Sequence, residues 1–417
     1  MKLFSIVLPG AALAMLLSTA HAQTLSSSVL VEQVLQANSA LKSSVSLRDA
    51  EQRRASYASA LDDPMLAYTL APETVGNSIG TRHILQLSQQ FPTRGKLKDR
   101  GYLADSMADL ASSNLADQQA QLTVAARVAW VEWWYVHQAL SLNIANRRVV
   151  EQLIPLTEAV YGTGKGLQQD VLQAQTRSER LRLDGIRLRQ QKRRVQARIN
   201  ALRGDRSIAT VNPPANLPNW KALPDSELLY TRLRDSDPRF AKLAARLQAA
   251  SAKQSLARKA STPDVRASLA YIGTLDPDEK RLQIGLSFSL PLNRRRLRAA
   301  VDAATAERNS IAYEIADAEA RIAAELEQPL ASATEATEAS VIYRQSLIPR
   351  ARQTLAAARA DYESSAGEFS NVVAAESQLL ELKLELARTR ADWRIAVAVV
   401  ERITAAGLWD MAESQSI

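Results

Sequence analysis

The chain has 417 residues, of which 46% are hydrophobic and only 5% are aromatic, and it contains no cysteine. We therefore expect neither a disulfide framework nor a lipidated cysteine. Basic residues exceed acidic ones by 52 to 44, so the net charge is +8. The basic residues alternate with leucines at helical spacing and lack a neighbouring aromatic platform. This pattern favours a solvated helix face and excludes nucleic acid as the expected partner.

Residues 1–22 have the pattern of a signal peptide. Lys2 precedes an apolar stretch that ends at Leu17, and the Ala20-His21-Ala22 triplet forms a small-x-small cleavage site. A membrane anchor is the weaker alternative, because the apolar run is short and is interrupted by a Pro-Gly pair. No later segment reaches about eighteen consecutive apolar residues, so we expect an exported chain without a transmembrane helix.

The rest of the chain is an internal duplication. The segment "YGTGKGLQQDVLQAQ" at 161–175 returns as "YESSAGEFSNVVAAE" at 362–376, and the proline pairs 64 and 92, and 263 and 291, are also repeated. We predict a first repeat at 23–209, a linker at 210–225, a second repeat at 226–407 and a C-terminal tail at 408–417. The residues that correspond across the repeats are Tyr161 and Tyr362, Gly166 and Gly367, Asp170 and Asn371, and Val171 and Val372.

Between its paired prolines, each repeat changes from helical to two-residue periodicity. Leu66, Tyr68 and Leu70 alternate with small or polar residues, which predicts β-hairpins at 64–92 and 263–291 with one apolar face. An open four-stranded sheet cannot sit in lipid, because its edge N–H and C=O groups would be unsatisfied. Four strands are also fewer than the eight of the smallest barrels, so several chains would have to share one barrel. A soluble sheet packed on helices is the alternative.

The glycine-rich stretch at 161–166 resembles a phosphate-binding loop only superficially. Its glycines have the wrong spacing for the Walker motif, and no strand precedes it. Hydrophobic residues on a 3-4 spacing follow it, and the second repeat has the same pattern, which predicts coiled-coil packing against the preceding helix. Each turn therefore caps a long helical hairpin, with tips near 161–170 and 362–371, and a leading helix of about 100 Å.

These features together resemble the TolC-type outer-membrane efflux protein family. The resemblance rests on the Y-x-x-G-x-x-x-x-x-D-V pattern, the strand end "QQFPTRGKL", its partner "FSLPLNRRRLRAAV" and the duplication. Within the family, the chain is most similar to the heavy-metal (CzcC/CusC-type) branch. The resemblance implies a mainly α fold, with a periplasmic α-barrel of coiled-coil hairpins and four strands per subunit in a trimeric outer-membrane β-barrel.

The resemblance also implies a gate at the periplasmic tip, where acidic residues ring the pore of family members. The gate residues carried over are Asp170, Asn371, Tyr161 and Tyr362, and the turn and adaptor-contact residues are Gly162, Gly164, Gly166 and Gly367.

This sequence departs from the family pattern in three places. Asn371 is uncharged, Gly367 stands where some relatives have arginine, and Ser365 replaces the glycine that corresponds to Gly164. We therefore expect a differently latched gate. Asp170 has a second interpretation as a helix-start residue that accepts backbone N–H groups.

We predict no enzyme, because no nucleophile, base and orienting residue occur together. We also expect no cofactor and no metal site, since the three histidines lie far apart. The aromatic run "WVEWWYVH" is interpreted as packing against residues 205–224, with ligand binding as the alternative.

The predicted function is a passive exit duct of a tripartite efflux system, with a heavy-metal pump of the inner membrane, a periplasmic membrane-fusion adaptor and outer-membrane lipid as partners. A drug-efflux or type I secretion duct, and a periplasmic coiled-coil adaptor or scaffold, are the alternatives.

Overall fold

The computed structural model describes residues 24–72, 81–218, 223–273, 281–405 and 407–409. The predicted signal peptide, the ends of both β-hairpins, part of the linker and most of the tail lie outside these residues. The helices are α1 (Ser27–Ala37), α2 (Ser39–Ala58), α3 (Lys96–Gly162), α4 (Gln168–Arg203), α5 (Ser226–Ser236), α6 (Pro238–Lys259), α7 (Arg294–Ile342), α8 (Ile348–Glu363) and α9 (Phe369–Thr404). The strands are β1 (Met65–Pro72), β2 (Thr81–Phe91), β3 (Val265–Gly273) and β4 (Arg281–Phe288).

Two capping residues occupy equivalent positions in the two predicted repeats. Asn38 ends α1 and begins α2, and its side chain accepts a hydrogen bond from the Leu41 N–H at 3.1 Å. Asp237 does the same between α5 and α6, where it accepts from the Arg239 N–H at 2.9 Å. A short polar side chain at this position satisfies one of the free N–H groups of the new helix, so both repeats bend at the same point.

The four strands form one antiparallel sheet in the order β1-β2-β3-β4. The register aligns Leu66, Leu87, Leu269 and Ile284 in one row across the sheet, and Tyr68, Leu85, Tyr271 and Leu282 in another. Because side chains alternate between faces, both rows lie on the same face, and all eight residues are exposed in the single chain. The other face carries mainly small and polar residues such as Gln86, Ser268 and Gln283, together with Ile84 and Ile272.

The long helices form two antiparallel pairs. In the first pair α3 packs on α4, and in the second α7 and α8 pack on α9. The pairs join through α3 and α9, where Val150, Leu181 and Leu380 form a buried cluster. The mainly α fold with four strands that the sequence predicts is confirmed. Among the described helices, none is both long and apolar enough to cross a membrane.

The two hairpins differ in how they accommodate proline. Pro155 lies within α3, which stays α-helical, whereas Pro349 is the second residue of α8, which follows a π-helical turn at Tyr343–Leu347. Proline cannot donate a backbone hydrogen bond, and a π-turn is one way in which a helix absorbs that local mismatch. The leading helix of the second hairpin is therefore interrupted just before Pro349.

The main core lies midway along α3, around its tryptophans. The Trp130 indole donates to the Leu25 carbonyl at 2.7 Å, and the Trp133 indole donates to the Asn212 carbonyl at 2.9 Å. Trp409 meets Trp130 edge to face, with 6.3 Å between ring centroids. The aromatic run thus packs against the segment that follows α4, as expected, and also fixes the segment before α1.

Neighbouring leucines of α5 provide a test of this core. Leu229 is buried in the tryptophan cluster, whereas Leu228 is exposed. We expect Leu229→Ala to lower the free energy of unfolding by about 2–5 kcal/mol, because a buried cavity is left. Leu228→Ala should change it by no more than about 0.5 kcal/mol. Thermal unfolding followed by circular dichroism measures both, and equal effects would contradict the assigned core.

Candidate functional site

The tips of both helical hairpins have the same backbone hydrogen bonds. In the first tip, the N–H groups of Lys165 and Gly166 both donate to the Val160 carbonyl at 3.2 Å. In the second, the N–H groups of residues 366 and 367 both donate to the Asp361 carbonyl, at 2.8 and 3.1 Å. Gly164 and Ser365 occupy the left-handed region, with φ of +73° and +62°. The replacement of glycine by serine therefore leaves the turn unchanged, at a local conformational cost of roughly 1–3 kcal/mol.

The glycines of the tips have different roles. A Cβ on Gly166 would lie 2.9 Å from the Val160 side chain, and one on Gly367 would lie 2.9 Å from the Asp361 Cβ. These two positions therefore need glycine because the chain approaches itself closely. For Gly162 and Gly164, no described atom lies within 4 Å of the added Cβ. Gly164 needs its positive φ, and nothing in the structure explains Gly162.

Asp170 lies between the two tips and is only 7% exposed. Its carboxylate accepts a hydrogen bond from the Leu167 N–H at 3.3 Å, which is the helix-start role considered for this residue. The same oxygen accepts a long hydrogen bond of 3.4 Å from the Tyr362 hydroxyl of the second hairpin. Asp170 therefore stabilises the start of α4 and also joins the two hairpins.

Tyr362 and Tyr161 differ in environment although they occupy equivalent positions in the repeats. Tyr362 is 4% exposed and packs on Phe369, with 5.1 Å between ring centroids. Burial, together with the charge and hydrogen bond of Asp170, raises the pKa of Tyr362 to about 12. Tyr161 is 48% exposed, and Asn371 is exposed as well. The structure thus brings together Asp170 and Tyr362 and leaves their counterparts on the outer sides of the tips.

A polar cavity of about 330 Å³ separates the two tips. Asp170 and Tyr362 line it, together with Gly166, Gly367 and Glu368. The cavity places the carboxylate of Asp170 beside an open space between the hairpins, so a relative movement of the tips would change the surroundings of that carboxylate.

Glu376 and Arg177 form a second link between the hairpins that sequence reasoning missed. Their side chains meet at 2.8 Å, about two helical turns along α4 from Asp170. The available signal was Glu376 itself, a charged residue within the hydrophobic spacing of α9. A buried charge normally has a partner, so the signal pointed to a contact such as the one with Arg177.

The structure gives no support for a metal site. Within the described part of the chain, no group of three or more His, Asp and Glu side chains could hold an ion. His83 lies on β2 beside the Tyr68 hydroxyl, and His137 packs on Trp133 with 4.6 Å between ring centroids. Burial, aided by Lys192, lowers the pKa of His137 to about 4, so this ring is neutral near pH 7.

The Tyr362–Asp170 contact can be tested by titration. Because the folded pKa of Tyr362 is raised from 10.0 to about 12, its contribution to stability is present below pH 10 and lost as the pH rises through 12. We expect Tyr362→Phe to remove a late component from the ultraviolet titration of tyrosinate. Asp170→Asn should move that component to lower pH, whereas Tyr161→Phe should leave it in place. If the component that Tyr362→Phe removes titrates near pH 10 in the wild-type protein, the contact is contradicted.

Comparisons with known proteins agree with the resemblance that the sequence shows. Residues 229–406 match the family model described as outer membrane efflux protein. No curated protein sequence matches the chain. Among solved structures, the outer-membrane channel OprN is 19% identical with a TM-score of 0.81, and the match covers 92% of this chain and 90% of OprN. VceC from Vibrio cholerae is 17% identical with a TM-score of 0.80, covering 92% of this chain and 96% of VceC.

CusC is 16% identical with a TM-score of 0.80, and the match covers 91% of each chain. At these identities the structural matches show a shared fold. Together with the family match, they confirm that this chain resembles the TolC-type outer-membrane efflux proteins.

Proposed function

We propose that the chain is the outer-membrane channel subunit of a tripartite efflux system and acts as a passive exit duct from the periplasm to the exterior. The observation that carries the proposal is the sheet, in which two rows of apolar side chains cross all four strands on one face and are exposed in the single chain. A soluble protein rarely exposes so large a contiguous apolar patch, and lipid is a suitable partner for it. The opposite face is mainly small and polar, which suits a lumen.

The sheet also supports assembly into a trimer. Within the described residues, β1 pairs only with β2, and β4 pairs only with β3, so each has one free edge. Free N–H and C=O groups are not tolerated in lipid, and closure of a barrel satisfies them. Three copies would supply twelve strands, which is within the range of outer-membrane barrels. The β1 edge of one copy would then pair with the β4 edge of the next.

The helices extend the proposed duct through the periplasm. α3 has 67 residues, which corresponds to about 100 Å. At its far end, the Asp170–Tyr362 contact holds the two tips of one chain together. We assign this contact to the gate, with Tyr161, Asn371 and the tip glycines on the surface that meets a membrane-fusion adaptor. An inner-membrane pump would supply the energy, since the duct itself does no chemistry.

Single-channel recording in planar bilayers tests the duct and its gate. We expect wild-type protein to conduct weakly and Asp170→Asn and Tyr362→Phe to raise the mean conductance by about tenfold. Loss of a hydrogen bond to a charged group costs about 1.5–3 kcal/mol, which is enough for that change. Glu179→Gln is the matched control, because Glu179 is an exposed carboxylate on the same helix, paired only locally with Arg182.

The outcomes separate the duct from the gate. A purified oligomer that never conducts, even with Asp170 replaced, would reject the duct and favour a periplasmic scaffold. Conduction that is equal in wild type and Asp170→Asn would keep the duct and reject the gate.

We further propose that the duct serves a heavy-metal pump, for copper and silver or for zinc, cobalt and cadmium. The tip motif at 161–171 and the segment 89–97, which contains the end of β2, support this subfamily. We expect a deletion strain to lose tolerance to one group of metals and to keep its tolerance to drugs, with a plasmid copy restoring growth. Loss of drug tolerance alone, or of protein secretion alone, would assign the duct to the corresponding alternative system.

A further inference from the structure

The junction between β2 and β3 shows how two sheet edges and their helices meet within one chain. The two strands pair with Ser88 opposite Ser268. Just beyond the paired region, Lys96 at the start of α3 forms an ion pair with Asp264 at 2.8 Å. The two side chains are only 11% and 20% exposed, so the ion pair joins the halves of the chain at a site that is mostly shielded from solvent.

The two free edges of the sheet are the repeat equivalents of this junction. The repeated prolines relate β1 to β3 and β2 to β4, and α7 follows β4 as α3 follows β2. Within the described residues, the outer edges of β1 and β4 have no strand beside them. Contact between the β4 edge of one copy and the β1 edge of the next is head-to-tail, which is the type of contact that closes into a ring.

Transfer of the β2–β3 register to the free edges gives a specific pairing. The serine pair at 88 and 268 corresponds to Ser287 and Thr69, and the adjacent pair corresponds to Phe288 and Tyr68. Phe288 and Tyr68 belong to the exposed apolar face, whereas Ser287 and Thr69 belong to the other face. The transferred register therefore continues both faces across the boundary, and a slip by one residue would exchange them.

Charges on the two free edges complement each other at the helical end of the sheet. The equivalent of Lys96 is Arg295, which lies in an exposed run of three arginines at 294–296. The equivalent of its acidic partner is Met65, but an exposed carboxylate, Asp63, occurs two residues earlier. An arginine can bind one carboxylate through two parallel hydrogen bonds, so the pair expected here is at least as strong as the lysine pair.

The neighbouring Asp62 already makes contacts within its own chain. Its carboxylate lies 3.8 Å from the Arg100 guanidinium, and its carbonyl accepts a hydrogen bond from the Gln89 side chain at 2.7 Å. Of the two adjacent carboxylates, Asp63 is therefore the better placed to meet a second copy.

We propose that the boundary between copies repeats the β2–β3 junction of the single chain. β4 of one copy pairs with β1 of the next so that Ser287 lies opposite Thr69, and Arg295 forms an ion pair with Asp63 of the next copy. The register and the ion pair together select a second copy of this chain as the partner of each edge. This inference rests on the proposed duct and names the contacts that close its barrel.

Disulfide cross-linking tests the register, and the absence of native cysteine makes it specific. Directly opposite residues have Cα atoms about 4.5–5.5 Å apart, which a disulfide can span, whereas diagonal neighbours are about 7–8 Å apart. In outer-membrane fractions, the full-length variant with Ser287→Cys and Thr69→Cys should form covalent trimers on oxidation. Matched variants that combine Ser287→Cys with Ala67→Cys or Ala71→Cys should form at least about tenfold less.

Charge reversal tests the ion pair through the stability of the oligomer. We expect Arg295→Glu or Asp63→Arg alone to raise the dissociation constant of the solubilised trimer by at least about tenfold, because like charges then face each other. The double variant should lie closer to wild type than either single variant, since the exchanged charges attract again. Arg232→Glu, at an exposed arginine of α5, is the matched control and should leave assembly unchanged.

The outcomes distinguish this inference from the duct itself. If a shifted cysteine pair cross-links better, or if no pair cross-links in an oligomer that conducts, the register is wrong and the duct remains. If the double charge reversal is no better than the single ones, Arg295 and Asp63 do not meet, which also overturns the inference. A cross-linked product that contains a different protein by mass spectrometry would assign the edges to another partner and overturn it.

If the protein neither forms an oligomer nor conducts, the duct is rejected and the inference with it. Should Arg295→Glu fail to assemble on its own, its rescue by Asp63→Arg still decides the ion pair.

Discussion

The structure depends on one constraint, which is that the sheet cannot be satisfied by a single chain. β1 and β4 each have an edge without a partner in the described residues, and the apolar rows that cross all four strands are exposed. In the proposed membrane setting, the apolar rows contact lipid, and the edge backbone groups need further strands because lipid cannot satisfy them. The same constraint extends to the helices. Because α3 begins a few residues after β2, closure of the sheet into a ring would arrange the long helices around the same axis.

At the junction between the sheet and the helices, as at the tips, residues form contacts that the equivalent residues of the other repeat do not form. Lys96 at the start of α3 pairs with Asp264 before β3 at 2.8 Å, and Lys259 of α6 pairs with Asp99 at 2.8 Å. These bonds lower the pKa of both carboxyl groups despite the opposing effect of burial. In the repeat, Asp264 and Lys259 correspond to Met65 and Ala60. At both ends of the molecule, therefore, charged contacts join the two halves of one chain, and the equivalent positions cannot form the same ion pairs.

Much of this architecture could be predicted from the sequence because it depends on short-range patterns. Two-residue alternation predicts the strands, the repeated prolines and tyrosines predict the duplication, and a 3-4 spacing predicts the helical hairpins. The sequence could not distinguish Tyr161 from Tyr362, because burial depends on which side of a hairpin meets the other hairpin. Ser365 was one reason to predict a differently latched gate, and its backbone has the same left-handed conformation and hydrogen bonds as the equivalent turn at Gly164.

The position of the carboxylates bears on how the proposed pore would select its cargo. A ring of exposed carboxylates favours cations, but Asp170 and Glu376 are both buried and use their oxygens to hold hairpins together. A carboxylate engaged in this way cannot also line a closed pore. Of the two, Asp170 borders the cavity between the tips, whereas Glu376 is enclosed by three helices. In the proposed gate, release of the Tyr362 hydroxyl would therefore loosen the tip and free a negative charge at the same step, which would couple opening to a preference for cations.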